Sequence, residues 1–280
     1  MKPMKRGVIL CGVVLMLAAV SAYPQKAQPM INTSVGLGDA VITHVANGGG
    51  WKTTITVVNL SLSKASLFVL YFYGDDGLPI FFPFVGLGRQ AYLMGTLAPA
   101  GSAIFKTDGT GTANQGWGYF DFETSGNVSG FAVFSNTNGN EAAVPFESDR
   151  TNKQLLSFDN TSGFGMGVAL VNSSSVSAMT ITATFYDENG IQLGTDSFLM
   201  SPLNHSAFIF SSRWPFTANR RGTVFLEPDN IGLAILGLRF TPAGAFTSVA
   251  SFHESDLVVS TFNPDDPLHG ADVKVVGYES

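Results

Sequence analysis

Cysteine is almost missing from this chain: of 280 residues only Cys11 is one, and it sits in an apolar run near the amino terminus. No disulfide can form within one chain, so the fold must be held by buried apolar surface. Charge is scarce too, at 13% Asp, Glu, Lys and Arg, and the balance is acidic, with 15 basic residues against 21 acidic ones. With no basic cluster, nucleic-acid binding and electrostatic attachment to anionic membranes are excluded as general activities. Four histidines are thin material for a metal centre or for acid–base catalysis. The G-x-S-x-G turn of serine hydrolases, the H-E-x-x-H pair of zinc proteases and a Gly-rich phosphate loop are all missing. No stretch sustains a helical period, which leaves strands to build the core.

What is present begins with an export signal. Lys2, Lys5 and Arg6 precede an apolar run at 8–20 that ends in small residues, with cleavage expected after Ala22. The run is short for a bilayer crossing, which takes roughly 20 residues. Cys11 follows Leu10 rather than a small residue, which argues against lipid attachment. Cleavage removes three bases and no acid, moving the formal net charge from −6 to −9. The expected product is secreted or associated with the cell surface, with no stable membrane insertion. Residues 23–40 read as a flexible leader.

The remainder is organised by a stretch that occurs twice. Residues 42–78 lie without a gap on 155–191, and nine of the 37 pairs are identical, among them Asn47/Asn160, Asn59/Asn172, Ser61/Ser174, Phe72/Phe185 and Gly77/Gly190. A register held this long marks a duplicated module. Strands are expected at 42–45, 51–60 and 66–73. On the second, Trp51, Thr53, Ile55 and Val57 share one face, as do Phe164, Met166, Val168 and Leu170 in the other copy. On the third, Phe68, Leu70 and Phe72 point inward, like Ile181, Ala183 and Phe185. Gly74–Asp75–Asp76–Gly77 and Asp187–Glu188–Asn189–Gly190 read as tight hairpin turns rather than calcium loops, since they lack alternating oxygen ligands. About seven short strands per copy, separated by Gly, Asn, Ser and Asp, suggest two tandem immunoglobulin-like antiparallel β-sandwich modules at 41–148 and 149–280, the second with a carboxy-terminal extension. An up-and-down barrel stays open as the alternative, because alternation does not give strand order. The polar run at 147–153 is the expected linker, and 271–278 is a last candidate strand.

Candidate chemistry is sparse. His205 and His253, with Glu254 and Asp256 nearby, are the material for an enzyme site, but closeness in sequence does not build a relay. These histidines and His44 read as exposed edge residues. No catalytic, metal-ligating or cofactor-binding set is expected. Flat aromatics stack on sugars, which draws attention to the tryptophans. Trp51 is matched by Phe164 on a core face, and Trp117 is set against Arg221. Trp214 has no counterpart, falls in an expected loop and is the tryptophan to nominate for binding. Leu67, Val69 and Tyr71 stand on the outer side of the third strand, where the other copy has Thr180, Thr182 and Thr184. Either that strand is covered on both sides or its outer face is a contact surface.

The phrases GGGWKTTITVVNLS, LYFYGDDGLP, GWGYFDF and SGFAVFS, with NTSGFGMGVALVNSSS and TFYDENG in the second half, resemble a tandem β-sandwich repeat of secreted proteins from soil bacteria of the acidobacterial kind. The likeness spans about residues 42–254. It implies an exported module and brings no assigned catalytic or binding residue. His205 and Arg221 depart from the first copy, where Ser102 and Trp117 are their matches. The expectation is a non-catalytic extracellular module for attachment or assembly, with a surface protein, a polysaccharide or a second copy as partner. The alternatives are a carbohydrate-binding module and a secreted hydrolase.

Overall fold

The structure, a computed structural model, describes residues 37–123, 127–148 and 153–253. The signal, the leader up to residue 36, the segment 149–152 within the expected linker and the candidate strand at 271–278 lie outside the described residues. All elements described are β-strands apart from one helical turn and one 3-10 turn, and every strand pair is antiparallel.

Three strands form on the stretch that occurs twice, with one correction: the first begins at Leu37, so residues 37–40 of the expected leader are strand paired with 120–123. β1 is Leu37–Asn47, β2 is Trp51–Asn59 and β3 is Ser66–Tyr73. Thr53, Ile55 and Val57 are buried on one side of β2, while Lys52 on the other is exposed. Phe68, Leu70 and Phe72 are likewise buried, so period-two patterning turns directly into a core face. The Phe-rich run that follows makes a small hairpin, β4 (Phe82–Phe84) and β5 (Gly88–Gln90). It folds Phe82 and Phe84 onto Phe72, each with ring centroids 5.5 Å away.

β6 (Tyr92–Leu97), β7 (Ser102–Lys106), β8 (Asn114–Glu123), β9 (Val128–Asn136) and β10 (Glu141–Glu147) complete an eight-stranded sheet in the order β6-β3-β8-β1-β10-β9-β2-β7. β10 bends the sheet back on itself. Its residues 141–145 pair with β9, while Phe146 and Glu147 cross to pair with Ile42 and Val41 of β1. The result is nearly closed into a barrel: Phe68 on β3 meets Phe105 on β7, at the far edge, with centroids 6.1 Å apart.

The second half contains β11 (Gln154–Asp159), β12 (Gly165–Asn172), β13 (Met179–Asp187), β14 (Gln192–Met200), β15 (His205–Ile209), β16 (Arg221–Pro228), β17 (Leu233–Phe240), β18 (Phe246–Val249) and β19 (Ser251–His253). One sheet runs β14-β13-β16-β11-β19 and the other β15-β12-β17-β18. Read in register, this is the strand order of the first half, with β18 and β19 together taking the place of β10. Small details repeat as well. The Asn59 amide donates to the carbonyls of Lys64, Leu97 and Ala98, and its Oδ1 accepts from Ser61 N–H. Asn172 does the same with Ser177, Met200, Ser201 and Ser174. A buried amide that satisfies three carbonyls leaves little freedom in the strand exit, and both halves use asparagine there.

The gapless alignment needs one correction. β1 carries a register slip between Ile42 and Val45, so Thr43 and His44 together oppose Trp117. In β11 the pairing is regular and Ser157 alone opposes Thr223. Ile42 is therefore the partner in space of Leu156, not of Leu155; both are fully buried. A bulge absorbs one extra residue and returns the strand to its proper face.

Two apolar clusters fill the halves, one around Phe68, Phe72 and Phe120, the other around Phe158, Phe185 and Val224. The expectation of two separate cores does not hold in full. Ala169, Leu236, Leu238 and Phe246 of the second half belong to the first cluster, so the cores run into each other across the boundary.

Candidate functional site

The nominated residues divide between surface and interior. Leu67 is half-buried, whereas Val69 and Tyr71 are buried, so β3 is covered on both faces along much of its length. Trp214 is 2% exposed. The helical turn Phe210–Arg213 and the 3-10 turn Pro215–Thr217 fold it inward, so the expected loop is part of the core. Its ring packs edge-on against Phe185, Phe208 and Phe210 at 4.7–5.0 Å, and its N–H donates to Asp196 Oδ2 at 2.8 Å. An indole whose face and N–H are both engaged in this way does not present a stacking platform to a sugar. Trp117 is fully buried as well. The β8 register sets it opposite Tyr73, and Thr223 opposite Tyr186, so its counterpart is Thr223 rather than Arg221.

The polar residues that the fold brings together lie where the second half sits on the first. His44 and His205, expected at exposed edges, are both buried. The β1 bulge aims His44 into the gap left where β1 parts from β10, and the start of β15 delivers His205 to the same place. His44 Nδ1 lies 3.2 Å from His205 Nε2, and His205 Nδ1 lies 2.6 Å from Asp75 Oδ1. With both rings neutral, His205 donates from Nδ1 to the carboxylate and accepts at Nε2 from His44 Nδ1–H. Asp75 projects from the hairpin turn after β3 and also accepts from Gln115 at 3.0 Å. Burial, together with the neighbouring His205, lowers the His44 pKa to about 3, against a small opposing pull from Asp75. Burial works to raise the Asp75 carboxyl, but the bonds from His205 and Gln115 outweigh it and hold the pKa below the ordinary value.

An Asp–His pair is the supporting half of a nucleophile-activating relay, but here its outer nitrogen faces a second imidazole rather than a hydroxyl or thiol. The arrangement works as a joint. Around it, Trp117 Nε1 donates to the Leu203 carbonyl at 2.8 Å, and the Asn204 amide donates to the Asp75 carbonyl at 2.6 Å. Val41 and Trp117 pack on Val171 and Ala234, and Phe246 stacks on Phe134 with rings 5.4 Å apart and 10° from parallel. The seat on the first half is thus formed by β1, β8, the turn after β3 and, through Trp51 and Phe134, β2 and β9. Its occupant is the outer face of β15, β12 and β17, with Phe246 of β18.

The second half has the corresponding seat, and its character differs. Ser157 stands for the bulged pair Thr43–His44, Thr223 for Trp117, Glu188 for Asp75, Arg221 for Gln115 and Arg239 for Phe134. These residues line an open depression of about 610 Å³. Arg221 pairs with Glu188 as Gln115 does with Asp75. Arg239 donates to Asp159 at 3.2 Å and lies 3.8 Å over the Phe164 ring. Asp159 is held below its ordinary pKa first by the Thr161 hydroxyl; burial works against this, and the Thr161 amide and Arg239 add to the lowering.

Among the described residues, no group of three or more His, Cys, Asp or Glu is placed to hold a metal ion, and no helix is long and apolar enough to cross a membrane. Sequence reasoning missed the His44–His205–Asp75 joint. The signal for it was an exchange: the first half has His44 and Ser102 where the second has Ser157 and His205. The chain matches no family model, no curated protein and no solved structure.

Proposed function

We propose that this chain is an exported, non-catalytic module for surface attachment or assembly, built from two immunoglobulin-like sandwiches that arose by duplication. The repeated strand order and the paired Asn59 and Asn172 exits support the duplication, and the basic, apolar and small-residue pattern at 1–22 supports export. One observation carries the assignment to contact rather than catalysis. The outer face of β7-β2-β9 bears Ile104 and Phe131, 60% and 44% exposed, flanking Thr56 in the same register row. The matching face of the second half, with Ala207, Ala169 and Leu236 in that row, is consumed in the contact with the first half of the same chain. An apolar sheet face of a kind already used for docking is a contact surface.

The test combines intact-mass measurement with binding. Protein recovered from its host should begin at Tyr23. It should bind whole cells, envelope fractions, a polysaccharide array or itself, and Ile104→Glu with Phe131→Glu should abolish that binding while leaving the melting transition in place. An intracellular product that keeps Met1, or hydrolytic turnover lost in His205→Gln, overturns the reading.

A further inference from the structure

Resting on that reading, we infer that the partner of the free face is a second copy of this chain, seated in the open depression of the second half. The argument is the register. Among the described residues, the first half holds an occupied seat and the second half an open one. Among the same residues, the face of β15-β12-β17 is used in docking and the face of β7-β2-β9 is free. The free face is the counterpart of the used one, and the open seat the counterpart of the occupied one.

Carrying the internal contact over to two chains pairs residues whose chemistry agrees. Phe246 sits on Phe134 beside Trp51 in the internal joint. The register replaces Phe246 by Glu141, Phe134 by Arg239 and Trp51 by Phe164. An aromatic stack becomes a carboxylate set against a guanidinium that already lies over a ring. His205, which reaches both His44 and Asp75, is replaced by Ser102, and its targets by Ser157 and Glu188. A hydroxyl can donate to that carboxylate and bond the other hydroxyl, so this substitution is matched as well. Leu203, whose carbonyl meets Trp117, has Ala100 as its counterpart, and both adopt the left-handed conformation, with φ of 59° and 55°. Ser102, Glu141, Ser157 and Glu188 are all exposed, as is Gly190, whose counterpart Gly77 lies against Pro202 in the occupied seat.

Face and seat are different surfaces of one chain, so the contact is heterologous: copies add head to tail and do not close as a two-fold pair. In sedimentation and light scattering, the chain as recovered from its host should gain mass as concentration rises. Glu141→Arg and Arg239→Glu should each abolish that gain, and the double exchange should restore it. Because Arg239 also bonds Asp159, Ser157→Trp serves as a second block, filling the seat from an exposed position. Oxidation of a Ser102→Cys, Ser157→Cys chain should give a ladder of multimers on a denaturing gel, and each single variant at most a dimer. A chain that stays monomeric at all concentrations, association unmoved by these variants, or cross-linking without a ladder overturns the inference. If such a chain still binds envelopes or polysaccharide through Ile104 and Phe131, the attachment reading stands and only the partner is wrong.

Discussion

His44 and His205 meet ring to ring, Nδ1 to Nε2 at 3.2 Å, across the boundary between the two halves. Only one of those nitrogens can hold the shared proton, so the joint requires at least one neutral imidazole. His44 has its pKa lowered to about 3, while the unfolded chain binds that proton near 6.5. Between these values the unfolded state carries the extra proton, so stability is full above about pH 6.5 and falls as the pH drops toward 3, by up to about 1.4 kcal/mol per pH unit. Asp75, held below 3.8, adds a loss of the same sign below its ordinary value. Urea midpoints measured from pH 7 to 4 should decline, and His44→Gln should flatten the decline.

Trp117→Phe keeps the ring buried but removes the N–H that serves the Leu203 carbonyl. Leaving that acceptor without its donor should cost about 1–3 kcal/mol. Denaturant titration of the variant should show the loss without a change in strand content by circular dichroism.

Phe246→Ala empties the position stacked between Phe134 and Trp51. A cavity of that kind costs about 3–5 kcal/mol. Phe246 belongs to the second half, where it also touches Phe240, but Phe134 and Trp51 belong to the first, so the damage falls mainly on the union of the halves. Calorimetry should resolve a single transition into two, whereas Phe185→Ala, inside the second core, should lower the second half alone by a similar amount.

Asn59→Ala and Asn172→Ala each strip three carbonyls of one donor amide. Each should lower stability by about 1–3 kcal/mol, and the two effects should be alike, because the amides do the same work. A marked difference between them in chemical denaturation would contradict the equivalence of the two strand exits.

Alternation and the double occurrence of 42–78 were enough to place β2, β3 and their counterparts and the inward faces of Phe68, Leu70 and Phe72, but not the hairpin of β4 and β5 or the start of β1. Those signals are local, set by a period of two and by turn residues. Trp214 was misplaced because a four-residue helical turn has too few residues to show a period, and copy one offers no guide there. The outer face of β3 was ambiguous for a different reason: Leu67, Val69 and Tyr71 look the same whether covered or open, and the sequence does not say what lies above them. The joint of His44, His205 and Asp75 joins residues 130 and 161 positions apart, a distance no local pattern spans. Only the exchange of His and Ser between copies hinted at it.

The bulge at Thr43–His44 also decides where the chain can tolerate loss of a residue. In a regular strand, deleting one position turns every side chain beyond it to the opposite face. In β1 the bulge already offsets an odd residue, so Ile42 and Val45 both reach the core although three positions separate them. Removing Thr43 leaves them two apart, both still inward, and makes β1 resemble β11. The same deletion between Leu156 and Phe158 sends one of two buried side chains into water. The two halves thus differ in their tolerance of deletion: β1 can lose a residue without losing its core, and β11 cannot.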